Sequence, residues 1–246
     1  MLKGIDLSTH NRNIDYKALK NAGIEFAIIR CGYGKDEGQK DEMFETHYQG
    51  CKDAGIKVGA YLYSYCTCVE NAEKEGQNCL RHIAGKQFDL PIFYDLEEQR
   101  TAILGIDAVT QIALIFCRTI KDAGYDAGVY ANLNWYKNYI RPDALQIEGY
   151  KIWLAQWNNE ITANFPVDIW QYTDRNEFGF DGDYLINENI MHVENVEKPV
   201  ENIKAIAVDV IFGKYGNGQD RKNALGSIYN EVQEIVNKIY EVIEGK

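Results

Sequence analysis

The chain has 246 residues, room for one large domain or for one large and one small, and enough to bury an extensive core. Its 46% hydrophobic and 26% charged residues are the mix of a globular protein and exclude a disordered one. Acidic side chains (37) exceed basic ones (26) for a net charge of −11, so a nucleic-acid partner is not expected, and no apolar run approaches the ~20 residues that would make a membrane partner.

The segment Met1-Leu2-Lys3-Gly4-Ile5-Asp6 lacks the apolar stretch and cleavage site of a signal peptide, which predicts synthesis in the cytoplasm. The first predicted strand is Leu2–Leu7. A phrase then recurs three times: Lys20-Asn21-Ala22-Gly23-Ile24, Lys52-Asp53-Ala54-Gly55-Ile56 and Lys121-Asp122-Ala123-Gly124-Tyr125. Each reads as a helix ending in a basic residue and a Gly that takes the left-handed cap, followed at once by an apolar strand. Further strands are predicted at Phe26–Arg30, Val58–Tyr63, Pro91–Leu96, Gly128–Ala131, Ile152–Gln156 and Val167–Tyr172. Val109, Ile112, Ala113, Phe116 and Ile120 mark the apolar face of a helix between two of them. The last two strands are joined by about ten residues without helical character. The pattern predicts an α/β fold, an irregular (β/α) barrel with helices sparse after strand five.

Composition shifts near Met191. Residues 192–202 are short, acidic and contain Pro199, as a linker would be. Residues 203–246 carry six basic and six acidic side chains, so the net negative charge lies before residue 203, most of it in residues 1–191. Ile228, Val232, Ile235, Val236, Ile239, Val242 and Ile243 form a long amphipathic pattern, and a small all-helical module is predicted. The six cysteines (Cys31, Cys51, Cys66, Cys68, Cys79 and Cys117) are read as buried free thiols. The four histidines form no His-x3-His and no second Cys pair has ligand spacing, so neither a metal nor another cofactor is expected.

In a parallel barrel, chemistry collects where strands end. Tyr94-Asp95-Leu96-Glu97-Glu98 follows an apolar strand, and a period of two turns Asp95 and Glu97 to the same side. Two such carboxyls, given different pKa values by their surroundings, serve as a proton donor and an ionised partner, a pairing suited to glycosidic bond cleavage. Asp6 ends the first strand, and Asp181 lies where a last strand should finish; together these acids would line one mouth. Tyr33, Tyr61, Tyr63, Tyr65, Tyr130, Trp153, Trp157, Trp170 and Tyr172 sit at the same strand ends and offer rings with polar handles, as a saccharide groove needs. A non-catalytic glycan-binding protein on the same barrel is the alternative. A metal-dependent deacetylase is disfavoured by the missing His-x3-His.

Gly4-Ile5-Asp6-Leu7-Ser8, Gly59-Ala60-Tyr61-Leu62-Tyr63-Ser64, Asp95-Leu96-Glu97, Gly128-Val129-Tyr130-Ala131-Asn132, Trp153-Leu154-Ala155-Gln156 and Trp170-Gln171-Tyr172-Thr173 together resemble glycoside hydrolase family 25, the Chalaropsis-type lysozymes common among phage endolysins, over residues 1–190. The resemblance implies cleavage of the β-1,4 bond between N-acetylmuramic acid and N-acetylglucosamine of bacterial peptidoglycan, acting on the wall after release. It casts Glu97 as general acid, held protonated near neutral pH by a closed, partly apolar site, and Asp95 as the carboxylate that steadies the anomeric centre, directly or by orienting the substrate acetamido group. It adds Asp6 and Asp181 as further acids, and Tyr33, Tyr61, Tyr63, Tyr130, Trp153, Gln156 and Gln171 as substrate contacts. The family's usual Gly-x-Val-Asp-x-Asn fits Phe180–Leu185 only after a short deletion, so Asp183 competes with the favoured Asp181. Val210–Lys222 resembles the Cpl-7-type cell-wall-binding repeat, a three-helix module, here in one copy. Lys214, Tyr215, Asn217 and Arg221 are its expected contacts, with Arg221 and Lys222 beside a Gly-Asn-Gly turn to meet a carboxylate. Nothing in the sequence specifies an oligomer.

Overall fold

A computed structural model of the chain describes residues 1–191, 200–211, 213–225 and 228–244, in two compact units, Met1–His192 and Val193–Lys246. The first runs β1 (Leu2–Leu7), α1 (Tyr16–Asn21), β2 (Ile24–Tyr33), α2 (Phe44–Asp53), β3 (Lys57–Tyr63), α3 (Val69–Ile83), β4 (Ile92–Asp95), α4 (Gln99–Ala102), α5 (Ile106–Asp122), β5 (Ala127–Asn132), α6 (Leu133–Asn138), α7 (Pro142–Ile147), β6 (Lys151–Ala155), β7 (Ile169–Thr173) and β8 (Asp181–Leu185). The eight strands close in chain order into a barrel. β1 to β7 are parallel, and β8 is antiparallel to both neighbours, β7 and β1. No α-helix separates β6 from β7 or β7 from β8, the irregularity expected of this barrel.

The recurring Lys-x-Ala-Gly phrase works as its chemistry requires. Gly23, Gly55 and Gly124 have φ of +91°, +73° and +89°, and each donates its N–H to the lysine carbonyl three residues earlier at 3.0, 3.1 and 2.9 Å. Two to four residues separate each helix from the strand that follows.

Side-chain alternation then sorts the barrel into two cores. Ile5, Leu7, Ala27, Ile29, Val58, Ala60, Ile92, Tyr94, Val129, Ile152 and Leu154 point outward into a layer shared with the α5 face Val109, Ile112, Ala113, Phe116 and Ile120. Phe26, Ile28, Tyr61, Phe93, Trp153, Ile169 and Leu185 fill the lumen. Where helices are missing, β7 and β8 cover themselves: Trp170, Tyr172 and Tyr184 pack against one another, with Tyr172 stacked on Tyr184 at 4.5 Å. Five of the six thiols are buried and Cys68 is half-buried; Cys66 Sγ donates to the Cys68 carbonyl at 2.9 Å.

Two strand expectations need correction. β7 starts at Ile169, not Val167, because Asp168 turns its carboxylate onto the Ile152 N–H at 2.8 Å. The last strand begins at Asp181 and does not finish there. In the second unit, α8 (Val200–Ile211), α9 (Gly218–Leu225) and α10 (Tyr229–Glu244) surround a core of Ala207, Val210, Leu225, Val232 and Val236, with Ile228 and Ile235 packed against it. α8 starts inside the segment expected as linker, three residues before position 203. Residues 192–199, and the side chains of Val242 and Ile243, lie outside the described residues. No described helix is long and apolar enough to cross a membrane.

The lumen is tightly filled at its base. A Cβ at Gly4 would fall inside the fully buried Phe26 ring. Gly4→Ala is therefore expected to destabilise the barrel by about 1–3 kcal/mol in denaturant unfolding, the usual range for overpacking. Unfolding at the wild-type midpoint would mean that the ring has room to move.

Candidate active site

The alternation that fills the lumen with apolar side chains delivers polar ones two residues further along the same inward faces. Asp6 follows Gly4, Asp95 follows Phe93, Tyr63 follows Tyr61, Tyr130 follows Gly128, and Gln171 follows Ile169. β8 runs the other way, so its first residues reach the same end: Asp181 pairs with Asp6 and Asp183 with Gly4 across the β1–β8 ladder. The result is a cavity of about 360 Å³ lined by Asp6, Arg30, Tyr61, Tyr63, Asp95, Glu97, Tyr130, Trp153, Gln171 and Asp181, with Ser8, His10 and Asn11 at its edge.

Gln171 organises the acids. Its Oε1 accepts from Tyr130 Oη and from Trp157 Nε1, both at 3.0 Å, which turns its Nε2 to donate to Asp6 Oδ2 at 2.9 Å. Below the rim, Asp183 is fully buried, and its Oδ1 accepts from Trp153 Nε1 at 2.7 Å. Its Oδ2 has no hydrogen-bond partner among the described residues. Arg30 is held by Asp41, Nε to Oδ2 at 2.7 Å, and Asp41 also accepts from the Thr9 N–H at 3.0 Å.

Crowding and burial push every one of these acids toward its neutral form. Burial, then the charges of Asp183 and Asp181, hold Asp6 well above the ordinary carboxylate range. Asp183 is pushed up to about 8 by burial against the opposing Trp153 N–H. Asp181 is raised by burial, against its hydrogen bond with Asp6. Burial and the Glu97 charge raise Asp95, with the Arg30 guanidinium pulling the other way. Glu97 is raised by the protein around it and by Asp181 and Glu98. Asp95 Oδ1 is buried, on the cavity wall, with no hydrogen-bond partner among the described residues.

Asp6, Asp95, Glu97, Asp181, Tyr61, Tyr63, Tyr130, Trp153 and Gln171 thus converge. Glu97 departs from the enclosed position expected of it: it lies past the end of β4, exposed on the lip, where it lines a second hollow as well. Tyr33 does not line the cavity; it packs edge-on against Tyr65, which in turn lies 5.1 Å from Tyr63. Gln156 lines the second hollow, but its amide is tied to the β6–β7 loop, donating to Thr162 Oγ1 at 2.9 Å and accepting the Thr162 N–H at 3.1 Å. In the helical unit, Lys214 pairs with Asp209 at 2.7 Å. Arg221, expected to face a ligand carboxylate, donates instead to Gly216 O, Asn217 Oδ1 and Gln233 Oε1 and pins the glycine turn. Lys222 lies over the Tyr229 ring, and Tyr215 packs against the helical core. The sequence reading missed Arg30 and its anchor Asp41. An arginine two residues beyond inward-facing Ile28 on the same strand is the signal that would have found it.

The Asp183 proton has a thermodynamic signature. A folded-state pKa near 8, against an ordinary 3.8, gives stability that is complete at acid pH and is lost as pH rises from about 4 to 8. Asn at 183 keeps an acceptor for Trp153 and a permanent donor toward Asp6. The melting temperature of Asp183→Asn relative to wild type should therefore climb across that interval. Parallel pH profiles for the two proteins would contradict the raised Asp183 carboxyl.

Comparison with known proteins agrees with this architecture. The profile of Glycosyl hydrolases family 25 matches residues 5–179, and that of the CW_7 repeat matches residues 204–240. The chain is 26% identical over 156 residues to the autolytic lysozyme of Clostridium acetobutylicum, covering 63% of this chain and 45% of that protein. It therefore spans under half of that relative's length. It is also 26% identical over 258 residues to the lysozyme of Streptococcus phage Cp-7, covering 97% of this chain and 69% of the relative. The solved structure of the CTP1L endolysin superposes with a TM-score of 0.65 at 23% identity, covering 86% of this chain and 78% of that one. With the family profile spanning well over half its residues, the chain belongs to the glycosyl hydrolases family 25.

Proposed function

We propose that the protein is a peptidoglycan hydrolase, a muramidase that cuts the β-1,4 bond between N-acetylmuramic acid and N-acetylglucosamine. The observation that carries this reading is the pair Asp95 and Glu97 on one cavity wall, the first buried with an unpartnered oxygen and the second at the lip. Two carboxyls this close hold one negative charge between them more readily than two. Arg30 draws negative charge toward Asp95 against the burial that raises it, and Glu97 at the lip is the carboxyl placed to reach a glycosidic oxygen, so we assign the charge to Asp95 and the proton to Glu97. Glu97 then protonates the glycosidic oxygen as the bond breaks. Asp95 faces the positive charge growing at the anomeric carbon, or accepts the acetamido N–H through its free Oδ1. Asp6, raised by burial and by Asp183 and Asp181, and Asp181, raised by burial, are placed to hydrogen-bond sugar hydroxyls, and Tyr63 and Tyr130 present rings to the sugar face.

The names of the relatives, lysozymes of a bacterium and of a phage, support the same reading. The CW_7 region is proposed to hold the enzyme on the wall through Lys214, Tyr215, Asn217 and the turn that Arg221 pins. One copy binds weakly by itself and gains from simultaneous engagement of the groove.

Glu97→Gln should slow clearing of a bacterial wall suspension by about a hundredfold or more, the usual loss of a general acid. Asp95→Asn should be similarly impaired, and Glu98→Gln should clear normally. Fragments from the wild-type digest should carry reducing ends on muramic acid. Binding without clearing by the wild type, or full activity in Glu97→Gln, would overturn the assignment.

A further inference from the structure

The cavity is one of three hollows that share walls. Glu97 and Tyr130 also border a second, of about 430 Å³, whose far side is Trp157. Trp157 borders a third, of about 490 Å³, on the loops after β6 and β7, together with Asn158, Tyr172, Arg175, Asn176 and Glu177. A polymer seated on the acids can thus continue across the exposed Trp157 indole into the outer hollow.

Three side chains of the outer hollow offer donors. The Asn158 carbonyl oxygen is taken by the Asn159 N–H at 2.8 Å, and that of Asn176 by the Phe178 and Phe180 N–H groups at 2.9 and 3.1 Å. Each amide is left with its NH2 end to offer. Arg175 is exposed, and its guanidinium makes no ion pair or hydrogen bond among the described residues. The one carboxylate on the wall of this hollow, Glu177, is paired with Lys3 at 3.6 Å. In a chain of net charge −11, an unneutralised guanidinium beside two amide donors selects an anion that also carries carbonyl acceptors.

A peptidoglycan strand carries such a group on its muramic acid residues: a short peptide, rich in carbonyls and ending in carboxylates. We propose that the outer hollow binds this stem peptide, with a peptide carboxylate on the Arg175 guanidinium and peptide carbonyls on Asn158 and Asn176. The proposal rests on the muramidase reading and extends it from the glycan to its peptide.

The full chain would be assayed on teichoic-acid-free walls and on the same walls stripped of peptide by an amidase. Wild type should show the higher kcat/KM on the peptide-bearing substrate. Arg175→Ala should lower that value about fivefold, the worth of one partly exposed ion pair, and Arg175→Glu should lower it further. Both should do so through KM, with cleavage of stripped glycan within twofold of wild type. Variants that lose activity equally on both substrates, or on neither, would overturn the peptide site while leaving the hydrolase standing. A wild-type protein inert on both substrates would overturn the hydrolase reading and the peptide site with it.

Discussion

Closing a parallel barrel with one antiparallel strand brings the start of β8 to the rim where β1 ends, and so sets Asp181 and Asp183 against Asp6. With Asp95 and Glu97 arriving from β4, five carboxyls share one end of a lumen whose walls are protein. They cannot all be charged there, because burial and mutual repulsion both penalise the ions. Arg30, anchored by Asp41, draws negative charge toward Asp95. Gln171, with its amide direction locked by Tyr130 and Trp157, presents a donor to Asp6. The chemistry proposed for the site depends on this partition of protons more than on any single residue.

The scaffold beneath is arranged to make that crowding tolerable. Gly4 and Gly128 let the Phe26 and Phe93 rings close the lumen below the acids, leaving solvent to enter from the rim. Trp153 belongs to both layers: its ring packs with Phe93 at 5.4 Å and its N–H serves Asp183. Trp157 extends the same logic outward, since the indole that divides the second hollow from the third also holds Gln171, and through it Asp6.

Much of this was legible in the sequence because it depends on period and spacing. The three Lys-x-Ala-Gly phrases marked helix ends, and the apolar run before Asp95 marked β4. The alternation after it placed Asp95 and Glu97 on one side. What was not legible depends on partners distant in the chain. Strand direction leaves no trace in a five-residue segment, so Asp181 read as the end of a strand it begins. Asp183, two positions on, was a competitor for the rim until the antiparallel register placed it a layer deeper. Glu97 read as enclosed, but β4 stops at Asp95 and the chain carries Glu97 onto the lip. Arg221 read as a free cation because a sequence does not show that the Gly216 carbonyl, Asn217 and Gln233 turn toward it.

The partition of protons can be read directly by a carbon-13 titration of the carboxyl groups, with Asp and Glu side chains labelled and Asp183→Asn and Glu97→Gln used for assignment. The account predicts an aspartate titrating near 8 at position 183 and a glutamate at 97 titrating above the ordinary glutamate value. If both of these carboxyls titrate at or below their ordinary values, the rim does not retain its protons and the account is wrong.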